Sequence, residues 1–243
     1  MAGHSKWKNI QHRKGAQDSK RGKLFSKIAL EITVATRIGG GNPEDNPRLR
    51  TALTKARAAN MPKDNCQKAI KKGIGEGAGA NYVEKTYEGY GPGGVALIVE
   101  CLTDNLNRTV GEVRSMFTKA GGNLGTDGSV SWMFARKGML VYKADKIADY
   151  ESFFEKAIDN GAEDVKESDG HYEVLCEPND LMALKGALDE FCPDPNFCEI
   201  TFIPQNLAAV EDVKVAPLEK LIGLLDDLDD VQNVFHNADI PER

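Results

Sequence analysis

The stretch that decides the fold runs from residue 139 to residue 203: MLVYKADKIADYESFFEKAIDNGAEDVKESDGHYEVLCEPNDLMALKGALDEFCPDPNFCEITFI. Met139 to Lys143 reads as a strand and Asp149 to Asn160 as a helix. Glu163 to Ser168 and His171 to Glu177 read as a hairpin turning on Asp169-Gly170. Asn179 to Phe191 then predicts a second helix, and Asn196 to Ile203 a fourth strand. The resulting order, βαββαβ, is that of the ferredoxin-like unit. Its expected core is Leu140, Phe153, Ile158, Leu175, Leu184, Leu188, Phe197 and Ile200.

Working outward, the flanking segments each look incomplete. Tyr82 to Tyr90 alternates, Gly91 to Gly94 makes a turn, and VALIVECLT (Val95 to Thr103) reads as a buried central strand. A helix follows with Leu106, Val110, Val113, Phe117 and Ala120 on one face, closed by Gly121. Val130, Trp132 and Phe134 then alternate with Ser129 and Ser131 as a half-buried strand. This ββαβ run is one helix and one strand short of a closed unit. Both are found downstream, in a helix carrying Leu218, Leu221, Ile222, Leu225 and Leu228 and in a strand from Val231 to His236. The expectation is an α+β multidomain chain in which a ferredoxin-like domain, 136–204, is inserted into a discontinuous α+β domain, 80–135 plus 205–243.

Residues 1–79 carry a helical pattern instead. Leu24, Phe25, Ile28, Ala29, Ile32 and Ala35 share one helix face, which the glycines at 39–41 end. Asn46-Pro47 starts a second helix and Pro62 a third, with Gly73 as the expected C-cap. GIGEGAGAN (73–81) reads as a linker. Its alternating glycines imitate a phosphate loop, but they follow a helix and not a strand, so linker is the better reading.

Of 243 residues 41% are hydrophobic, an ordinary globular composition. The longest apolar run, Val95 to Val99, is far short of the ~18 residues of a membrane helix, and the first residues carry no apolar signal region. A cytoplasmic, unanchored protein is expected. The cysteines Cys66, Cys101, Cys176, Cys192 and Cys198 are odd in number and form no C-x-x-C pair, which argues for reduced, mostly buried thiols and against a disulfide framework or a zinc site.

The net charge of -6 hides an asymmetry. Residues 1–76 hold 17 Lys and Arg against 6 Asp and Glu, whereas residues 77–243 hold 14 against 31. Such a split calls for a partner of opposite sign for each part, nucleic acid for the basic one, unless the two parts attract each other. The cations are densest at the start. His4, Lys6, Trp7, Lys8, Gln11, His12, Arg13, Lys14, Lys20, Arg21, Lys23 and Lys27 are the candidate nucleic-acid contacts. Long cations neutralise phosphates, amides bond base edges or sugars, and a Trp can stack on a base. The competing reading is a solvated basic tail with Trp7 as its anchor.

Two segments, MAGHSKWKNIQHRKGAQDSKRGKLFSKIALEITVATRIGGGNPEDNPRLRTALTKARAANMPKDN and YEGYGPGGVALIVECLTDNLNRTVGEVRSMFTKAGGNLGTDGSVSWMF, closely resemble the YebC/PmpR family, which includes a mitochondrial translational activator. The resemblance is dense to about Gly138 and looser but collinear beyond it. It implies a helical N-terminal domain followed by two α+β domains. It also implies a regulator of transcription that binds DNA or, as other members are described, a ribosome-associated translation factor that relieves stalling at difficult sequences such as proline runs.

No enzyme signature accompanies this. There is no G-x-x-x-x-G-K-[ST], G-x-S-x-G, H-E-x-x-H or EF-hand loop, so a non-enzymatic protein without cofactor, metal or small-molecule substrate is expected. His4, His12, His171 and His236 lack metal-ligand spacing, and the last two read as surface residues. AGGNLGTDGS (120–129) either offers backbone N–H groups to an anion or simply connects a helix to a strand. No strand carries the aromatic motif of RNA-binding domains that share the ferredoxin-like topology. The acidic domains read as protein-contact modules for a ribosome or basic proteins, and DDLDD (226–230) as a solvated helix end. The ligands left open are DNA and ribosomal RNA; a pure protein-interaction scaffold is the third reading.

Overall fold

The structure is a computed structural model that describes residues 21–75 and 81–240. It begins with the helices α1 (Arg21–Gly39), α2 (Pro47–Ala58) and α3 (Lys63–Ile74). From Ile32 to Thr36 every residue of α1 is buried, so over this stretch the helix is covered on all sides. Asn46 ties it to α2. Its Oδ1 accepts from the Leu49 N–H at 3.1 Å, capping α2, while its amide donates to the carbonyls of Ala35 and Gly40, each at 2.8 Å.

Gly73 is not the C-cap expected from sequence. It lies inside α3, and Gly75 takes the capping position. The reason is packing: a Cβ at position 73 would stand 2.6 Å from both the Thr33 carbonyl oxygen and the Thr36 Cβ of α1. Gly73→Ala is therefore expected to destabilise the helical domain. Alanine gains ~1 kcal/mol of helix propensity, but forcing a methyl group against a backbone carbonyl costs about 1–3 kcal/mol. A denaturant midpoint that rises in this variant would show that α1 and α3 can separate freely.

The chain continues with β1 (Val83–Tyr90), β2 (Ala96–Thr103), α4 (Leu106–Lys119) and the short β3 (Asn123–Leu124). Next come β4 (Phe134–Lys143), α5 (Tyr150–Asp159), β5 (Ala162–Ser168), β6 (His171–Cys176), α6 (Leu181–Leu188) and β7 (Phe197–Pro204). β8 (Ala208–Ala209), α7 (Asp212–Asp226), β9 (Val231–His236) and β10 (Ala238–Asp239) complete it. One sheet has the order β3-β1-β2-β9 and another β5-β6-β4-β7, the ferredoxin-like order, with β8 and β10 forming a small parallel pair. The strands of the ferredoxin-like sheet all lie in sequence between β3 and β9. The fold is thus α+β, a helical N-terminal domain and two α+β domains, one interrupted by the other. The described residues divide into two compact units, 21–75 with 136–201 and 81–135 with 202–240.

In the second unit β2 pairs antiparallel with both β1 and β9, Val99 lying opposite Tyr87 and Val234. One face of this sheet packs Leu97, Val99 and Val234 against Val113 and Phe117 of α4 and Leu218, Leu221 and Leu225 of α7. The other face packs Ala96, Ile98 and Phe235 with Val130, Phe134 and Phe202. Leu106, expected on the buried face of α4, is exposed in its first turn, and Thr109 takes the buried place. The strand expected over 130–134 is also absent. Ser131–Met133 is a 3-10 turn that leaves Trp132 exposed, because the backbone N–H groups of Val130 and Ser131 bond to the Glu88 carboxylate and not to a neighbouring strand. DDLDD is not a solvated end throughout: Asp226 and Asp230 are buried.

In the ferredoxin-like sheet the Asp169-Gly170 turn takes the positive φ angles of 48° and 70° that a two-residue hairpin needs. Leu140, Tyr142, Val174 and Cys198 face Phe153 and Ala157 of α5 and Leu184 and Leu188 of α6. Met139, Val141, Leu175, Phe197 and Thr201 are buried on the opposite face, so the central strands are covered on both sides. Ile158, expected in this core, is exposed. All five cysteines are free thiols, with Cys101, Cys176 and Cys198 buried. Burial pushes Cys176 and Cys198 up to about 12. Among the described residues no helix is long and apolar enough to cross a membrane.

Candidate nucleic-acid interface

Cations act on a partner only where they are not already spent inside the fold. On α2 they are spent. The Arg48 Nε donates to Glu31 at 2.8 Å, and the Arg50 guanidinium donates to the carbonyls of Pro43 and Glu44 at 2.8 and 2.6 Å. The Lys55 ammonium holds Glu199 of β7 at 2.8 Å, and Arg57 faces Asp194 at 3.5 Å.

Helix α3 is arranged differently. Its buried side is Ala69 and Gly73, against α1, where the Thr33 hydroxyl lies 3.2 Å from the Ala69 carbonyl. The 3.6-residue period then turns Lys63, Gln67, Lys68, Lys71 and Lys72 to solvent, with Asp64 as the single acid of the helix. Among the described residues these lysines form no ion pair. The half-buried Cys66 of this helix has its thiol pushed up by burial.

Of the contacts expected from sequence, Arg21 opens α1, and Lys23 and Lys27 follow on the same helix, exposed and half-buried respectively. His4, Lys6, Trp7, Lys8, Gln11, His12, Arg13, Lys14 and Lys20 lie outside the described residues. The α3 lysines were not among those candidates, although their three-and-four spacing opposite Ala69 and Gly73 was a readable signal.

Two other features differ from their sequence reading. The 120–129 segment turns one backbone N–H to an internal anion: Gly128 donates to the Glu88 carboxylate at 2.8 Å, as do Val130 and Ser131 just beyond it at 2.8 and 2.7 Å. His171 and His236, expected on the surface, are half-buried. The His171 Nδ1 lies 2.8 Å from the Asp169 carbonyl, and the Ala238 N–H donates to His236 at 3.3 Å. Among the described residues no group of three His, Cys, Asp or Glu could hold a metal ion.

Comparison with known proteins accounts for nearly the whole chain. The family profile described as the TACO1/YebC protein N-terminal domain matches residues 5–76, and that described as the TACO1/YebC second and third domain matches residues 82–238. A "Probable transcriptional regulatory protein" of Syntrophotalea carbinolica is 55% identical over 100% of this chain and 97% of its own length. One from Geobacter sulfurreducens is 53% identical over 99% of this chain and 96% of its own. The crystal structure of a conserved hypothetical protein from Aquifex aeolicus, 47% identical, superposes with a TM-score of 0.80 over 93% of each chain. The chain belongs to the TACO1/YebC family.

Proposed function

We propose that this protein is a non-enzymatic regulator of gene expression that binds DNA through its basic helical domain. The observation that carries the reading is the solvent-facing row Lys63, Lys68, Lys71 and Lys72 on α3, within a segment of 17 cations against 6 acids. The relatives named as transcriptional regulatory proteins support the regulatory part. We assign the contact to these lysines together with the cations from Lys6 to Lys27. Phosphates are neutralised by solvent-facing cations such as the lysines of α3, whereas the acidic domains would repel a duplex.

Binding of a fluorescent duplex is expected to weaken with log salt at a slope of about -0.9 per phosphate contacted. Reversing Lys63, Lys68, Lys71 and Lys72 to Glu, or Lys6, Lys8, Arg13 and Lys14 to Glu, should abolish it while the circular dichroism spectrum is kept. Unchanged affinity in both variants would overturn the site. Sedimentation of the chain with ribosomes, resistant to deoxyribonuclease and lost in the same variants, would transfer the contact to ribosomal RNA.

A further inference from the structure

Helix α5 has a wider apolar arc than its core requires. Phe153 and Ala157 are fully buried, yet Tyr150, Phe154 and Ile158, one turn apart along the next row, are 37%, 38% and 42% exposed. The Tyr150 ring stacks on Tyr172 of β6 with centroids 4.7 Å apart and stands 6.0 Å from the ring of Phe154. This row is therefore partly ordered before any partner arrives, which lowers the entropy cost of docking.

Beside the apolar row, one residue further on in each turn, runs the exposed acidic row Glu151, Glu155 and Asp159. Glu167 of β5 adds a charge on the same side of the sheet, directly opposite Tyr172 in the strand register. The cations of α5 and β5 themselves do not cancel this. Lys156 is paired with Glu190 at 2.9 Å, and Lys166, paired in register with Glu173, projects from the other face of the sheet.

We infer that the Tyr150–Phe154–Ile158 face of α5 is a docking surface for a cationic amphipathic helix of a protein partner. Such a helix would lay an apolar row on this one and set its lysines or arginines against Glu151, Glu155, Asp159 and Glu167. The acidic row disfavours the alternatives. It repels the phosphates of a nucleic acid and the headgroups of an anionic membrane, and a second copy docking by the same face would oppose acid to acid. This inference is independent of the nucleic-acid contact.

The test uses the full chain and a labelled synthetic peptide with leucines at i, i+3, i+4 and i+7 and lysines on the remaining positions. Two controls accompany it, one of identical composition in scrambled order and one with glutamates replacing the lysines. The ordered cationic peptide should bind at least about tenfold more tightly than either control, and Phe154→Asp should remove that advantage. Glu151→Gln with Glu155→Gln, which leaves the apolar row intact, should weaken binding and flatten its salt dependence at an unchanged melting temperature. Equal binding of the scrambled peptide, or binding unaffected by both variants, overturns the proposal. So does self-association of the chain that Phe154→Asp abolishes, since it would assign the face to a second copy. DNA binding should persist in Phe154→Asp, so the two readings fail separately.

Discussion

Replacing Glu88 by alanine is expected to destabilise the second unit by about 2–4 kcal/mol, because buried backbone N–H groups left without an acceptor cost about 1–3 kcal/mol each. The Glu88 carboxylate, itself buried, accepts from Gly128, Val130 and Ser131. Gly128 is exposed and can find water, whereas Val130 is buried and Ser131 half-buried, so most of the loss falls on the latter two. Glu88→Gln should not rescue the loop. An amide has one acceptor oxygen, and its NH2 end would face a backbone donor. The local readout is Trp132, whose indole N–H donates to the Ser129 carbonyl at 3.2 Å within the same loop. In a Trp7→Phe background its fluorescence anisotropy should fall in both variants. Anisotropy and stability equal to those of the parent would show that the carboxylate does not hold the loop.

The same contact sets a pH dependence. Burial alone would raise the Glu88 carboxyl, but the hydrogen bonds from the backbone N–H groups of Gly128, Val130 and Ser131 and from the Ser131 hydroxyl outweigh it and hold the group below its ordinary range. A carboxyl lowered in the folded state contributes stability that is fully present above its unfolded value of about 4.3. That contribution is lost as pH falls through the lower folded value. The stability difference between the parent and Glu88→Gln should accordingly be constant near neutral pH and shrink in acid below this point.

What the sequence made legible, and what it hid, follows the range of the interactions involved. The helix expected over 149–160 forms at Tyr150–Asp159 with Asp149 as its cap, accepting from the Ser152 N–H at 3.1 Å, since caps, turns and periodicity are local chemistry. The alternation from Ser129 to Phe134 misled because a loop wound around a carboxylate from β1 also buries Val130 and Phe134 while exposing Trp132. Gly73 looks the same in sequence whether it ends a helix or admits a neighbouring one. At the candidate interface, the basic composition was plain but its partition was not. Lys55 and Arg57 pair with Glu199 and Asp194, 144 and 137 residues away, whereas α3 turns its lysines to solvent.

Asp230→Ala should also cost about 1–3 kcal/mol, since it removes the carboxylate acceptor of two buried hydroxyls, of which only that of Thr109 keeps an alternative in the Asn105 carbonyl at 2.9 Å. Those hydroxyls belong to Thr103 and Thr109, both fully buried, which donate to the Asp230 Oδ2 at 3.1 and 2.6 Å. Arg108 closes the site from solvent. Its Nη2 donates to Oδ1 and Oδ2 at 2.8 and 2.7 Å and to Asp104 at 2.9 Å, and these carboxylates raise the guanidinium above its ordinary value. The Asp230 carbonyl meanwhile accepts from the Leu102 N–H at 2.8 Å, immediately before β9 pairs with β2. Asp230 therefore fastens the returning C-terminal strand to the end of β2 and the first turn of α4, across the whole inserted ferredoxin-like segment. A chain in which Thr103→Val and Thr109→Val accompany Asp230→Ala should recover part of the loss, because the two buried hydroxyls are then gone and the Asn105 N–H that Thr103 held at 2.9 Å belongs to an exposed residue and can turn to water. Arg108→Gln should cost less than Asp230→Ala, as its guanidinium reaches solvent. If the aspartate variant melts with the parent, or the triple variant is no better than the single one, the strand is held by the apolar core of α4, α7 and the sheet without this cluster.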